Sequence, residues 1–195
     1  KGYASPALSD TYARAHELSR QIGEVAEIFP LLNGMWSFYL VRAKYEESRE
    51  LGEKMLGLAE SAESPVALIQ ANRAMGVTLL YTGELGSGLA HMEKAVDLYD
   101  PARHRAFAYR LNGLDLGVSV RSFAAWGAWL AGWPAQALRR NDEMHAMARS
   151  LDHPYNSAWA LTFSTWVHQM RREIARTREQ AEAAIALAEE HRFEL

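Results

Sequence analysis

Cysteine is absent from the 195 residues, which excludes disulfides and thiolate-based zinc sites and agrees with a reducing cytoplasm as the expected location. Charge of either sign is scarce in excess: 21 Lys and Arg stand among 24 Asp and Glu, for a net charge of -3. Without a basic stripe there is no electrostatic footprint for a nucleic acid, so DNA and RNA are excluded as expected partners. No apolar run reaches the roughly 20 residues that a membrane-spanning helix needs, and no basic, apolar, small-residue leader opens the chain. A membrane is therefore not expected as a partner. The chain begins with Lys1 instead of Met, and is read as a piece of something longer.

Catalytic signatures are missing as well. "YTGELGSGLAHMEKA", residues 81–95, gathers Gly83, Gly86 and Gly88 at the head of a helix-favouring run. No Lys followed by Ser or Thr comes after them, so the stretch lacks the ammonium and hydroxyl that a phosphate loop uses. Their G-x-x-G-x-G order between helical segments is not the dinucleotide fingerprint either. The seven histidines contain no H-E-x-x-H pair, and Ser119, Ser122 and Ser157 sit in no nucleophile elbow. Catalytic residues, metal and cofactor are accordingly not expected.

What is present is an internal repeat. One apolar column runs Leu18, Leu58, Leu98, Met147 and Leu187, at spacings of 40, 40, 49 and 40. Three residues upstream runs a second column of Ala15, Met55, Ala95, Met144 and Ala184, which shares its helix face. Fifteen residues upstream of the first column lies a corner column of Ala43, Gly83, Gly132 and Arg172. Because Ala and Arg occupy equivalent corners, Gly83 reads as a helix-to-helix turn, where glycine is merely preferred. Each repeat is a helix pair, expected over about 25–60, 65–99, 117–150 and 155–191, after a lone leading helix at 6–22. Ser5-Pro6 and Ser64-Pro65 mark helix starts, and Pro154 repeats the position of Pro65. No useful period-two alternation occurs, so the fold class is all-α.

The pattern resembles tetratricopeptide repeats. "MGVTLLYTGEL" supplies Met75, Gly76, Leu79, Gly83 and Leu85, followed by Gly88 and Ala95, while "WSFYLVRAKY" supplies Trp36, Tyr39, Ala43 and Tyr45. The period near 40 exceeds the usual ~34 and implies longer helices, and the final proline column is mostly missing. More specifically, "MWSFYLVRAKYEESRELGEKML", "ANRAMGVTLLYTGEL", "SFAAWGAWLAGWPAQALRR" and "WVHQMRRE" resemble the helical C-terminal region of large bacterial proteins that join a class III adenylate or guanylate cyclase domain to a predicted ATPase domain. No cyclase or ATPase motif lies in this chain.

The resemblance implies one right-handed α-α superhelix, with first helices lining a concave groove. By register the groove positions are Asn33, Ser37, Gln70, Arg73, Tyr81, Ser122, Trp126, Trp129, Thr162, Trp166 and Gln169. Tryptophans at helical spacing most often fill gaps in a core, but this mix of indoles, amides and hydroxyls suits a ligand-binding groove. Nine extra residues fall within 100–120, where Arg103, Arg105, Tyr109, Arg110, Asn112 and Asp115 are expected to form either a decorated loop or a patch over one groove edge. The expected function is a noncatalytic module of a bacterial signalling protein that binds a protein or peptide in the groove, or other domains of its own chain. The alternatives are a small-molecule sensor with the tryptophans enclosing a metabolite and, more remotely, an enzyme. The unpartnered leading helix implies an apolar edge that preceding sequence or self-association covers.

Overall fold

The computed structural model describes residues 25–105 and 113–193. The expected helix at 6–22 and its apolar edge lie outside these residues, as do Tyr109, Arg110 and Asn112. Among the described residues every regular element is helical: α1 Val25–Leu40, α2 Tyr45–Ser61, α3 Pro65–Tyr81, α4 Leu85–Leu98, α5 Pro101–His104, α6 Leu116–Leu130, α7 Pro134–Leu151, α8 Pro154–Met170 and α9 Ile174–His191. No helix among them is long and apolar enough to cross a membrane.

Local chemistry explains where these helices start. Ser64 caps α3 by accepting the Ala67 amide at 3.4 Å, and Pro65 follows in the first turn, where its missing N–H removes no helical bond. Proline takes the same place in α5, α7 and α8. Asp115 caps α6 through the amides of Gly117 at 2.8 Å and Val118 at 3.2 Å.

The helix ends obey one geometry. At Ala43, Gly83, Gly132 and Arg172 the backbone is left-handed, with φ of 56°, 86°, 84° and 61°. The next amide then reaches back five residues: Lys44 to Tyr39 O at 3.0 Å, Glu84 to Leu79 O at 2.9 Å, Trp133 to Ala128 O at 2.8 Å and Glu173 to His168 O at 3.0 Å. This is the Schellman closure, which satisfies carbonyls that a helix end leaves open. Gly83 is thus a corner glycine, as its register position implies.

Contacts divide the chain into two compact units, one ending at Leu98 and the other beginning at Tyr99. In the first unit α2 packs on α1 and α3, α3 packs on α4, and α1 also touches α3. Leu32, Met55, Ile69, Val77 and Met92 are fully buried there. Between α3 and α4 the backbones approach closely: a Cβ on Gly76 would stand 2.9 Å from Gly88 O, and one on Gly88 would stand 3.0 Å from Gly76 O. In the second unit the same order holds for α6 to α9, with α6 touching α8. Val118, Val120, Met144 and Val167 are buried in its core.

The repeat columns sort by depth. Met55, Ala95, Met144 and Ala184 are buried, and so are Ala59, Tyr99, Ala148 and Ala188 four residues on. Leu58, Leu98, Met147 and Leu187 are only half-buried, so the seam is centred on the second column and not on the first. At 3.6 residues per turn, positions such as 55 and 59 share the centre of the buried stripe and position 58 falls on its flank.

Candidate recognition face

The second unit carries a stack of aromatic rings between α6 and α8. Phe163 is its centre: its ring lies 4.9 Å from Phe123, 5.1 Å from Trp159 and 4.7 Å from Trp166. Trp126 completes the group at 6.5 Å from Phe123 and 6.3 Å from Trp166. These rings meet because Phe123 and Trp126 are three residues apart on α6, while Trp159, Phe163 and Trp166 follow one another by four and three on α8. Edge-to-face and stacked pairs of this kind contribute roughly 0.5–1.5 kcal/mol each beyond their burial.

The base of the stack is fixed by hydrogen bonds. Trp159 Nε1 donates to Ser122 Oγ at 3.0 Å, and that hydroxyl donates to the Ser119 carbonyl at 2.7 Å. Phe123 and Phe163 are buried, Trp126 is half-buried, and Trp166 retains 37% of its surface. The outer indoles are therefore presented on a rigid apolar floor. Trp133, at the corner after α6, is still more exposed at 61%. The helix faces that hold the stack, from Ser119 to Trp129 and Ser157 to Gln169, carry Arg121 and His168 as their titratable groups.

The first unit has a different centre. Trp36 is buried, donates its indole N–H to Thr78 Oγ1 at 2.9 Å, and has the Arg73 guanidinium over its ring at 4.8 Å. Arg73 also donates to Asn33 Oδ1 at 2.5 Å. Tyr81 is exposed at the end of α3 and stacks on Tyr45 at 6.1 Å. Burial lowers the affinity of His91 for a proton, Lys94 adds to this, and the ring meets Asn72 Oδ1 at 2.9 Å.

The register-derived positions divide accordingly. Trp126, Trp129, Thr162, Trp166 and Gln169 fall on α6 and α8 with partial or full exposure, the Thr162 hydroxyl bonding back to Ala158 O at 2.9 Å. Ser37 and Asn33 are half-buried on α1. Gln70, Arg73, Ser122 and Asp115 lie in the interior, which corrects their expected place on an open surface. Arg73 and Ser122 are turned inward, where they hydrogen-bond the half-buried Asn33 and Trp159, and Asp115 is a helix cap.

Asp115 also accepts the Tyr99 phenol at 2.7 Å, while its own amide donates to Asn156 Oδ1 at 2.8 Å and Asn156 Nδ2 reaches Gly113 O at 3.0 Å. Burial, then Asp115, push the Tyr99 phenol far above its ordinary range. The end of the insertion is thereby tied to α8. On its near side Arg103 pairs with Asp100 at 3.4 Å and Arg105 donates to Ser150 Oγ at 3.2 Å.

Phe123 and Phe163 were not singled out from the sequence, although their spacing of three and four from tryptophans was visible there. Beyond Gln169 an open depression of about 280 Å³ is bounded by that residue, Arg172, Ile174, Thr177, Arg178 and Ala181. Among the described residues no three His, Asp or Glu side chains converge as metal ligands would. No protein-family profile matches the chain, and no curated protein shows significant similarity to it.

Proposed function

We propose that the chain is a noncatalytic recognition module whose helix pairs stack as a right-handed, tetratricopeptide-like superhelix and whose first-helix face binds a segment of a protein partner. Support for the repeat reading comes from four corners that share one left-handed geometry at the repeat spacing. The observation that carries the binding reading is the pair Trp126 and Trp166, half open to solvent on a floor of buried rings. Rigid indoles of this kind give large contact area with little loss of conformational freedom, which is why they serve as anchors in interfaces. From the resemblance to bacterial cyclase and ATPase proteins we infer a role for such a module in signalling, in which occupancy of the face would be relayed to another domain.

The test begins with a partner recovered by affinity capture and continues with calorimetric titration of variants that melt like the parent. Trp126→Ala and Trp166→Ala are expected to weaken binding by about 2 kcal/mol or more each. Glu53→Ala, on the exposed side of α2, is expected to leave it unchanged. An equal loss from Glu53→Ala and Trp126→Ala would remove the first-helix face from consideration.

A further inference from the structure

The seam between α2 and α3 and the seam between α7 and α8 are equivalent under a shift of 89 residues, yet their chemistry is opposite. In the first seam Gly52 receives Met75, a Cβ on the glycine lying 3.0 Å from Met75 Cγ, and Leu56 and Leu79 continue the register. In the second the same four positions hold Asn141, Ser164, His145 and His168. Three apolar side chains and a glycine in the first seam correspond to four polar side chains in the second.

The polar seam is also incompletely satisfied. Asn141 and Ser164 are almost wholly buried, and neither Asn141 Oδ1 nor Ser164 Oγ has a hydrogen-bond partner. His168 is buried and committed: its Nδ1–H donates to Glu173 Oε2 at 2.7 Å, and Glu173 is held in turn by Arg171 at 2.5 Å. His145 sits half-buried within electrostatic reach of His168. Around it, α7 itself contributes Asp142, which favours its cation, and Arg149, which opposes it. The sole charged residue of α6 is Arg121, engaged with Glu143 at 3.7 Å and with the Tyr99 ring. The charged side chains within α9 are exposed.

We propose that the α7–α8 seam is a protonation-sensitive joint, closed while His145 is neutral and loosened below neutrality, when a proton on His145 adds charge to a buried polar seam beside His168. Burial, Arg149 and His168 together hold the His145 ring below the ordinary histidine range, outweighing Asp142. A histidine depressed in the folded state contributes stability that is complete above its ordinary value and is lost as pH falls below that value, so the direction is opening in acid. Because α8 carries Trp159, Phe163 and Trp166 while α6 carries Phe123 and Trp126, loosening this seam would separate the two halves of the aromatic face. That last consequence rests on the recognition reading above, whereas the opening itself does not.

Amide hydrogen exchange of the whole chain, corrected for intrinsic rates, tests the opening without any partner. Between pH about 7.5 and 5.5, opening measured in α8 and α9 is expected to increase by up to about tenfold in the parent, the limit set by one histidine of ordinary unfolded value. His145→Gln, which stays polar and cannot take the proton, should remove most of that rise. His91→Gln, which removes the other histidine depressed by burial, should leave it. Restoring the first seam's residues with His145→Leu and His168→Leu gives a second pH-insensitive form. No rise in the parent, or the same rise in His145→Gln, would overturn the proposal. If the rise follows His145 but partner affinity does not change with pH, the joint stands and its link to the face falls.

Discussion

Replacing Gly76 by alanine sets two effects of the same substitution against each other. In a helix interior alanine is favoured over glycine by about 0.5–1 kcal/mol, because glycine loses more backbone freedom on folding. Gly57 in α2 shows that effect alone: nothing lies within 4 Å of the added Cβ, so Gly57→Ala is expected to stabilise by that amount. At Gly76 the new methyl would meet the Met92 terminal methyl, the backbone oxygen of Gly88 at 2.9 Å and His91 Cβ at 3.2 Å. Met92 is fully buried, so its side chain has little room to swing, and the Gly88 carbonyl moves only if α4 moves. Overpacking of this kind costs about 1–3 kcal/mol, which leaves a net loss of up to roughly 2.5 kcal/mol after the helix gain. Urea titrations followed by far-ultraviolet circular dichroism should therefore shift in opposite directions for the two variants. Gly76→Ala as stable as Gly57→Ala would refute the close approach of α3 and α4 and the packing built on it.

Met144→Ala removes a fully buried side chain and is expected to cost about 2–5 kcal/mol, while Leu187→Ala, on the half-buried flank, should cost distinctly less; thermal melts rank the two. Asp115→Ala leaves the Tyr99 phenol and the amides of Gly117 and Val118 without their acceptor, and at about 1–3 kcal/mol for a buried donor left unsatisfied a loss of several kcal/mol is expected in chemical denaturation, against about 1 kcal/mol for an ordinary exposed cap. Arg171 and His168 hold the Glu173 carboxyl down at about 2, so its contribution is present above the ordinary carboxyl value and is lost as pH falls toward 2. Melting temperatures of Glu173→Gln and the parent should consequently differ at pH 6 and converge toward pH 2, and a constant difference would exclude the ion network as the cause.

The sequence pattern located the helices well because each boundary has a local chemical cause. Pro65 and Pro154 fix helix starts, and the residues at 43, 83, 132 and 172 fix helix ends, so all four pairs fall within a residue or so of their expected limits. Depth was harder to read. Leu58 and Met55 are both apolar and three residues apart, and only the angular position of the neighbouring helices decides which one faces them. The aromatic face was legible through its tryptophans but not through Phe163, whose central place depends on α6 and α8 coming together. Gln70, Arg73 and Ser122 were misplaced for a related reason, since polar residue type suggests exposure and only the packing of the neighbouring helices shows these side chains buried. Asp115 hides a helix cap inside what composition shows as an irregular insertion.

The uneven placing of indoles divides the molecule optically. Trp36 is the one tryptophan before Leu98, and the other five follow Tyr99. Sealed from water with a guanidinium over its ring, Trp36 should emit toward the blue and report on its own unit alone. Trp126 and Trp166 of the second unit lie 6.3 Å apart, close enough to exchange excitation, so light absorbed by the less exposed Trp126 is expected to migrate to Trp166 before it is emitted. Trp36→Phe darkens one unit and leaves the other visible. The chain thus carries two separate native dyes, and the unfolding of each half can be followed without attaching a label.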